Sequence, residues 1–297
     1  MFATLLGPLP RPPVPDDAAP EAILDAILEL QVRHGLEPVT DGGWPIADGP
    51  PGTAPVDPVA AWRATADRAG RLVKGVITGP YSAGSDGARE RGWLLDLAAA
   101  GCRWIEVHEP DAVRIGDDTD ARARFADRHR ALTAHLEGVH LSLAITGGSA
   151  NAAGIETILA GSYASLALDL IDGPDNWHLV VGAPGDRGII AGVVGRQARG
   201  DDGPEVLLWA AGYAASTGGR GIARVGLATA GSLADLPWDV AEEKVRRLGE
   251  GTRLAMAPRD ERLAALDPRS IDARTAALGR YTPRPPRRRS GGPTPRT

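Results

Sequence analysis

Leu72–Thr78 reads LVKGVIT and Arg103–His108 reads RWIEVH. Each is a short run of β-branched and apolar residues, the composition of a strand. Between them Asp86–Ala100 carries the amphipathic period of a helix, and Gly101 ends it. A strand, a helix and a strand at this spacing form a βαβ unit, with parallel strands and a right-handed crossover.

The alternation continues in both directions. Toward the N terminus, Phe2–Leu6 (FATLL) reads as a strand and Asp16–Arg33 as a helix with Ile23, Ile27 and Leu30 on one stripe. Pro38–Thr40 (PVT) reads as a short second strand and Pro58–Arg71 as a helix. Toward the C terminus come a helix at Asp120–Leu136, a strand at Val139–Ile145 (VHLSLAI), a short helix at Ala152–Ala160 and a strand at Tyr163–Leu170 (YASLALDL). Asp172–Gly185, rich in Gly, Pro and Asp, shows no clear period. A strand at Gly188–Val194 (GIIAGVV), a helix at Pro204–Ser216 and a strand at Ile222–Ala228 (IARVGLA) follow. Pro237–Gly249 closes the series as a helix with Pro at its start and Gly at its end.

Eight strands alternating with about eight helices predict an α/β fold, a (β/α)8 TIM barrel over residues 1–257, with an open doubly wound sheet as the alternative. The chain has 297 residues, enough for such a barrel at about 250. Residues 258–280 are expected to form terminal helices packed on the barrel. The tail Tyr281–Thr297 (YTPRPPRRRSGGPTPRT) has little to bury and is expected to be disordered. Its Arg287–Arg289 run reads as solvated, with a nucleic-acid or partner contact as the alternative.

The composition, 43% hydrophobic and 24% charged, is that of a globular domain. A net charge of −5 gives no general attraction to nucleic acid or anionic membrane, so a small-molecule partner is expected and the oligomeric state stays open. The one cysteine, Cys102, excludes an internal disulfide and a Cys-rich metal site, and reads as a small buried residue rather than a nucleophile. The opening MFATLLGPLPRPP is too short and Pro-rich for a signal peptide, and no apolar run reaches the ~20 residues of a membrane span. A cytoplasmic location is the expectation. G-x-S-x-G, Walker, H-E-x-x-H and CxxC motifs are absent from the sequence, so serine hydrolase, P-loop and zincin readings lack support.

In a barrel of this class the site lies at the C-terminal ends of the strands. That rule selects Gly7, Pro8 and Arg11; Asp41 and Trp44; Thr78; His108, Glu109 and Asp111; Thr146 and Ser149; Asp169 and Asp172; Arg196 and Gln197; and Thr229 and Ser232. His108–Glu109 is the richest pair, an imidazole beside a carboxylate, suited to acid–base work. Glu109 reads alternatively as a salt bridge or cap at the rim. Asp169 lies inside a run that is otherwise apolar, where an acid must be paired, metal-bound or at a strand end. These three are the catalytic candidates. Gly7, Arg11, Asp41, Trp44, Thr78, Thr146, Arg196 and Ser232 are the substrate-binding candidates. Asp41 before two glycines reads equally as a turn starter. His140 and Ser142 read as structural.

At these strand ends the sequence resembles the cobalamin-independent methionine synthase family, in its C-terminal catalytic barrel. RLVKGVITGP (Arg71–Pro80) is similar to that family's VKGMLTGP, and AGCRWIEVHEPDAVRIG to its AGI..IQIDEPALREG. FATLLGPLPRP, LELQVRHGLEPVTDGGW and GLATAGSLADLPWDVAEEKVRRL resemble its first strand, its DGE turn and its last strand and helix, so the likeness runs over about residues 2–250. The resemblance implies a TIM barrel that transfers a methyl group from a methyltetrahydrofolate to the thiolate of homocysteine, in methionine biosynthesis, with zinc activating the thiol. It implies zinc ligands His-x-Cys after strand five, Glu after strand six and Cys after strand eight. Here those places read Leu143–Thr146, Asp169 and the neighbourhood of Ala230. No metal ligand set is retained, and no cofactor is expected. The glutamate of DGE falls on Gly43, the aspartate of DEP on His108, and a strand-one serine on Pro8. A diverged transferase acting on a small thiol, amino-acid-like or anionic metabolite without the zinc is the first expectation. The alternatives are a metal-independent lyase or decarboxylase using Glu109, His108, Asp169 and cationic clamps such as Arg11 or Arg196, and a catalytically inactive metabolite-binding barrel.

Overall fold

The computed structural model describes residues 1–44, 57–197 and 203–265. Seven strands form one parallel sheet: β1 Phe2–Thr4, β2 Lys74–Thr78, β3 Trp104–His108, β4 His140–Ile145, β5 Ser165–Asp169, β6 Gly188–Val194 and β7 Val225–Thr229. Their order is β1-β7-β6-β5-β4-β3-β2, so β2 to β7 lie in sequence order and β1 lies beside β7, without the order reversal of a doubly wound sheet.

The predicted eight strands are seven. Pro38–Thr40 forms no strand, and Val39 makes a single parallel bridge to Val73. Pro38 has no N–H to give a ladder. The segment still spans the two outermost strands. The Glu37 amide donates to Ala3 O, the Thr4 hydroxyl to Pro38 O, and the Val39 amide to Leu72 O. The sheet is therefore curled enough for β1 and β2 to meet one segment.

Helices follow the strands: α1 Pro20–Arg33, α2 Pro58–Ala69, α3 Ala88–Ala99, α4 Thr119–Thr133, α5 Ile155–Ile158, α6 Trp177–Gly182, α7 Pro204–Ser216, α8 Trp238–Ala255 and α9 Arg259–Ala265. Asp57 and Asp118 cap α2 and α4 by accepting the Val59 and Ala121 amides, as short side chains do at an N-cap. Two expectations need correction. Asp172–Gly185 is ordered as a 3-10 turn and α6, with Trp177, Leu179 and Val180 packed against the core. The last barrel helix does not stop at Gly249 but runs to Ala255. Gly249 is a contact position, since a Cβ there would lie 2.0 Å from the carbonyl oxygen of His34. Within the expected terminal helices, Arg259–Ala265 forms α9 against α7 and α8. The rest of 258–280 and the tail 281–297 lie outside the described residues.

Strand alternation sorts the side chains. Ile77, Ile105, Val107, Leu141, Leu143, Leu166 and Leu168 face the helices in the large core. The concave face carries a second, smaller cluster of Leu6, Ala144, Ala167, Ile190 and Ala228, edged by Phe2 and Trp104. Among the described residues no helix is long and apolar enough to cross a membrane.

Candidate functional site

The concave face of β2, β3 and β4 is polar. Lys74, Glu106, His108, His140 and Ser142 point there because they sit at alternate positions of adjacent parallel strands. Lys74 and Glu106 have fully buried side chains 2.7 Å apart, and Lys74 Nζ also donates to the carbonyl of Leu5. The lysine thus reaches from β2 toward the end of β1, across the place that 38–40 fills without a full strand. His108 Nε2 lies 2.7 Å from the same Glu106 oxygen, Oε1, with its side chain 18% exposed. Ser142 Oγ donates to Oε2 and accepts from Trp104 Nε1.

Burial opposes the charge on Glu106, but Lys74 and His108 outweigh it and hold the carboxyl at about 2. Burial pulls Lys74 below the usual lysine range, against the pull of Glu106. His140 is pushed down to about 4 by burial, although Glu106 opposes the shift, and it stacks on Trp104 and bonds Ser165 Oγ at 2.8 Å. Near neutral pH the wall therefore holds one buried ion pair, a neutral His140, and His108 at its upper edge.

Lys74, Val76 and Thr78 also form the floor of a cleft of about 630 Å³. Asp41, Arg89 and two tryptophans, Trp62 and Trp93, stand on its sides. The cleft follows from the single bridge at Val39, because among the described residues no strand lies on that edge of β2 beyond Lys74. Arg89 lies over the Trp93 ring and pairs with the buried Glu90. Burial raises the carboxyl of Asp41, against the pull of the Gly43 amide. Thr78 is paired in register with His108, so the cleft and the polar wall adjoin.

Glu109 points elsewhere. It is fully buried, accepts the amides of Tyr81 and Ser82 at 2.9 and 2.7 Å, and meets His129 Nε2 at 3.0 Å. His129 Nδ1 in turn meets the Tyr163 hydroxyl at 2.5 Å. Burial, and then the charge of Glu109, push Tyr163 well above its ordinary value, so Tyr163 donates to Nδ1 and His129 Nε2–H donates to Glu109. Glu109 thereby anchors the loop after β2. Asp169 anchors two other loops. Its Oδ2 accepts the Gly147 amide, its Oδ1 the Ile171 and Asp172 amides, and burial still raises its carboxyl.

The other candidates fall into two groups. Gly7, Thr146 and Ser232 come together around Gly231: a Cβ on Gly7 would lie 2.7 Å from Ser232 N, and one on Gly231 would lie 3.6 Å from Thr146 Cβ. Arg11, Trp44 and Arg196 are engaged locally. Arg11 donates to Pro15 O and Asp16 O, Trp44 Nε1 to Leu9 O, and Arg196 pairs with Asp172 at 2.6 Å. Sequence reasoning missed Glu106, Lys74 and Asn176. Glu106 is two residues before His108, hence on the same face, and Lys74 is a charge inside an apolar strand that requires a partner. Asn176 lies in the stretch that showed no period. It is buried and bridges Gly148 O, Asp169 O and the Ala150 amide. At the places where the resemblance implies zinc ligands the chain offers one carboxylate, Asp169, whose oxygens already accept amides. Among the described residues no three His, Cys, Asp or Glu stand together as a metal site.

No protein-family model matches the chain. It is 31% identical over 206 residues to the 5-methyltetrahydropteroyltriglutamate–homocysteine methyltransferase of Rhodopseudomonas palustris (strain ATCC BAA-98 / CGA009), covering 63% of this chain and 25% of that protein. It is 32% identical over 154 residues to the protein of the same name from Parvibaculum lavamentivorans, covering 51% of this chain and 20% of that one. The matches thus span a quarter or less of the length of these curated relatives. The fold is similar to that of a B12-independent methionine synthase from Shewanella sp. W3-18-1, solved in complex with selenomethionine, with a TM-score of 0.67 and 14% identity, covering 88% of this chain and 98% of that one.

Proposed function

We propose a function for what is, by its curated relatives and its fold, a methionine synthase-like barrel: a diverged transferase that binds a small thiol, amino-acid-like or anionic metabolite at the C-terminal ends of its strands and works without the zinc of its relatives. The curled sheet then acts as a (β/α)8 barrel, with residues 36–40 in the second-strand place. The setting is cytoplasmic and the partner a small molecule rather than nucleic acid or membrane. The observation that carries this reading is the Lys74–Glu106–His108 chain on the concave wall. It puts an imidazole where the resemblance implies an aspartate, next to a cleft of metabolite size.

The lyase or decarboxylase alternative has less support. Of its proposed groups, Glu109 and Asp169 are occupied by amides, and Arg11 and Arg196 by local partners.

A thermal-shift screen tests the reading, with homocysteine, methyltetrahydrofolate, amino acids and small carboxylates, alongside metal analysis of the purified protein. A ligand at a hundredfold excess over its Kd contributes about 2.7 kcal/mol, or roughly 5–10 °C for a domain of this size. Stabilisation by homocysteine, methyltetrahydrofolate or a related metabolite in zinc-free protein supports the proposal. Stabilisation by none of them, or stoichiometric zinc needed for any shift, overturns it.

A further inference from the structure

We propose that His108 is a general base whose Nδ1 takes the thiol proton of the bound metabolite, with Glu106 and Lys74 as positioning residues that hold the ring in the form able to do so. This rests on the functional reading above and names the group within it that activates the thiol.

The assignment comes from hydrogen-bond accounting. Glu106 Oε1 already accepts a proton-bearing nitrogen, Lys74 Nζ, at 2.7 Å. An ionised carboxylate only accepts, so the His108 nitrogen facing the same oxygen at 2.7 Å, Nε2, is the one that carries hydrogen. In a neutral imidazole the other nitrogen, Nδ1, is then a bare acceptor. Among the described residues no group bonds Nδ1, and the side chain is partly open rather than sealed. On either side at the same level stand Thr78 of β2 and Ala144 of β4. Ala144 contributes only a methyl group and leaves the ring room to meet a ligand.

A carboxylate that fixes one ring nitrogen so that the other works as a base is the arrangement that activates nucleophiles in hydrolases. In the step proposed here, the ligand S–H bond breaks, its electron pair stays on sulfur, and the proton forms a bond to His108 Nδ1. The imidazolium then faces Glu106. A free thiol near 8.5 and an imidazole near 6.5 are poorly matched, by about two units. The imidazolium formed beside the sulfur stabilises the thiolate and narrows the gap from the thiol side. Lys74 keeps Glu106 ionised and so makes the arrangement stable across neutral pH. The charged group that meets His108 is Glu106 on its own strand, which in turn holds Lys74 of β2 and faces His140 of β4; Asp41 and Arg89 line the cleft on the far side of Thr78.

The test uses the full chain with homocysteine as the probe, in wild type, H108N and E106Q. Ultraviolet thiolate absorbance of the bound probe is followed against pH, with binding itself scored by thermal shift. The tautomer of His108, whose ring signals are identified by their loss in H108N, is read from the imidazole 15N shifts by NMR without ligand. The expected result is a bound thiol that ionises at least tenfold more readily than free homocysteine in wild type, and no such gain in H108N. E106Q is expected to lose the fixed Nε2–H tautomer of His108 and, with it, the wild-type gain in thiol ionisation, while homocysteine still binds. If homocysteine binds and its thiol ionises alike in wild type and H108N, the base assignment is overturned while the functional reading stands. An unchanged His108 tautomer in E106Q overturns the positioning role. Absence of homocysteine binding in folded wild type overturns the thiol reading itself. H108N sits at a partly exposed position, so its readout survives if E106Q folds poorly.

Discussion

Replacing Lys74 by Met removes the counter-charge from a carboxylate that has no water to turn to. Both side chains are fully buried, and the ammonium serves two acceptors, Glu106 Oε1 and Leu5 O, each at 2.7 Å. Breaking a buried pair by removing one partner costs about 3–5 kcal/mol, because the other charge is stranded. Losing the donor to the Leu5 carbonyl adds about 1 kcal/mol. At roughly 2–4 °C per kcal/mol for a chain of this size, K74M should melt on the order of 10 °C below wild type. The double variant K74M/E106L strands no charge and should recover most of that loss, since apolar replacement of a whole buried pair is often neutral; what stays lost is the hydrogen bonding of Leu5 O, His108 Nε2 and Ser142 Oγ. The sign of the pH dependence follows from Glu106. Its folded value, about 2, lies below the unfolded value near 4.3. Its stabilising contribution is therefore present above about pH 4.3 and is lost as the pH falls through 2. Urea denaturation of the two single variants and the double, as a thermodynamic cycle, provides the measurement. A K74M variant within 1 kcal/mol of wild type, or a double variant as unstable as the sum of the singles, would refute the buried-pair account.

Three other outcomes are expected. Glu109→Ala should cost about 3–5 kcal/mol in urea, because two loop amides and His129 lose a charged acceptor, and hydrogen exchange should quicken at Tyr81 and Ser82; unchanged exchange there would refute the anchor. His140 stays neutral in the fold down to about 4 but protonates near 6.5 when unfolded, so stability should fall on the order of 3 kcal/mol as the pH drops from 6.5 to 4, and less in H140N when the two are compared by melting across that range. Arg220→Met should cost about 2–4 kcal/mol without changing ligand affinity, because the buried guanidinium ties the Val180, Ala183, Arg187 and Ala214 carbonyls and Thr217 together; calorimetric binding that weakens in step with stability would contradict this separation.

Much of the fold was legible because period and punctuation agree in this chain. LVKGVIT and RWIEVH became β2 and β3, and GIIAGVV became β6 at its predicted bounds. Pro38–Thr40 was legible as a strand place but not as a single bridge, since what Pro38 fails to donate matters only when its neighbours are known. Gly249 looked like a stop signal because a stopping glycine and a contact glycine are the same letter. Only the approach of His34 O separates them. The site was half legible. The strand-end rule selected His108 and Thr78, which the register of β2 on β3 sets side by side, and Asp169, which the structure places at the last position of β5 rather than inside it. It could not see that Glu109, one residue after His108, faces the opposite way and meets three donors. Nor could it pair Lys74 with Glu106, which are 32 positions apart and joined only by the register of β2 on β3.

That pairing bears on why the wall exists. The concave face is divided: β2 to β4 carry the ion pair and two histidines, whereas beyond them Ala144, Ala167, Ile190 and Ala228 form an apolar lining. A barrel interior is ordinarily filled by branched apolar side chains, which bury without desolvating a charge. Lys74 and Glu106 give up that benefit, and an apolar replacement of the whole pair costs the fold little. Stability therefore does not account for them. Among the described residues His108 is the group they support that reaches the open edge, beside Thr78 at the cleft, and the proposed base role gives their position a reason. A buried charge placed to hold a partly exposed imidazole is a cost to the fold that makes sense when the imidazole has chemistry to do.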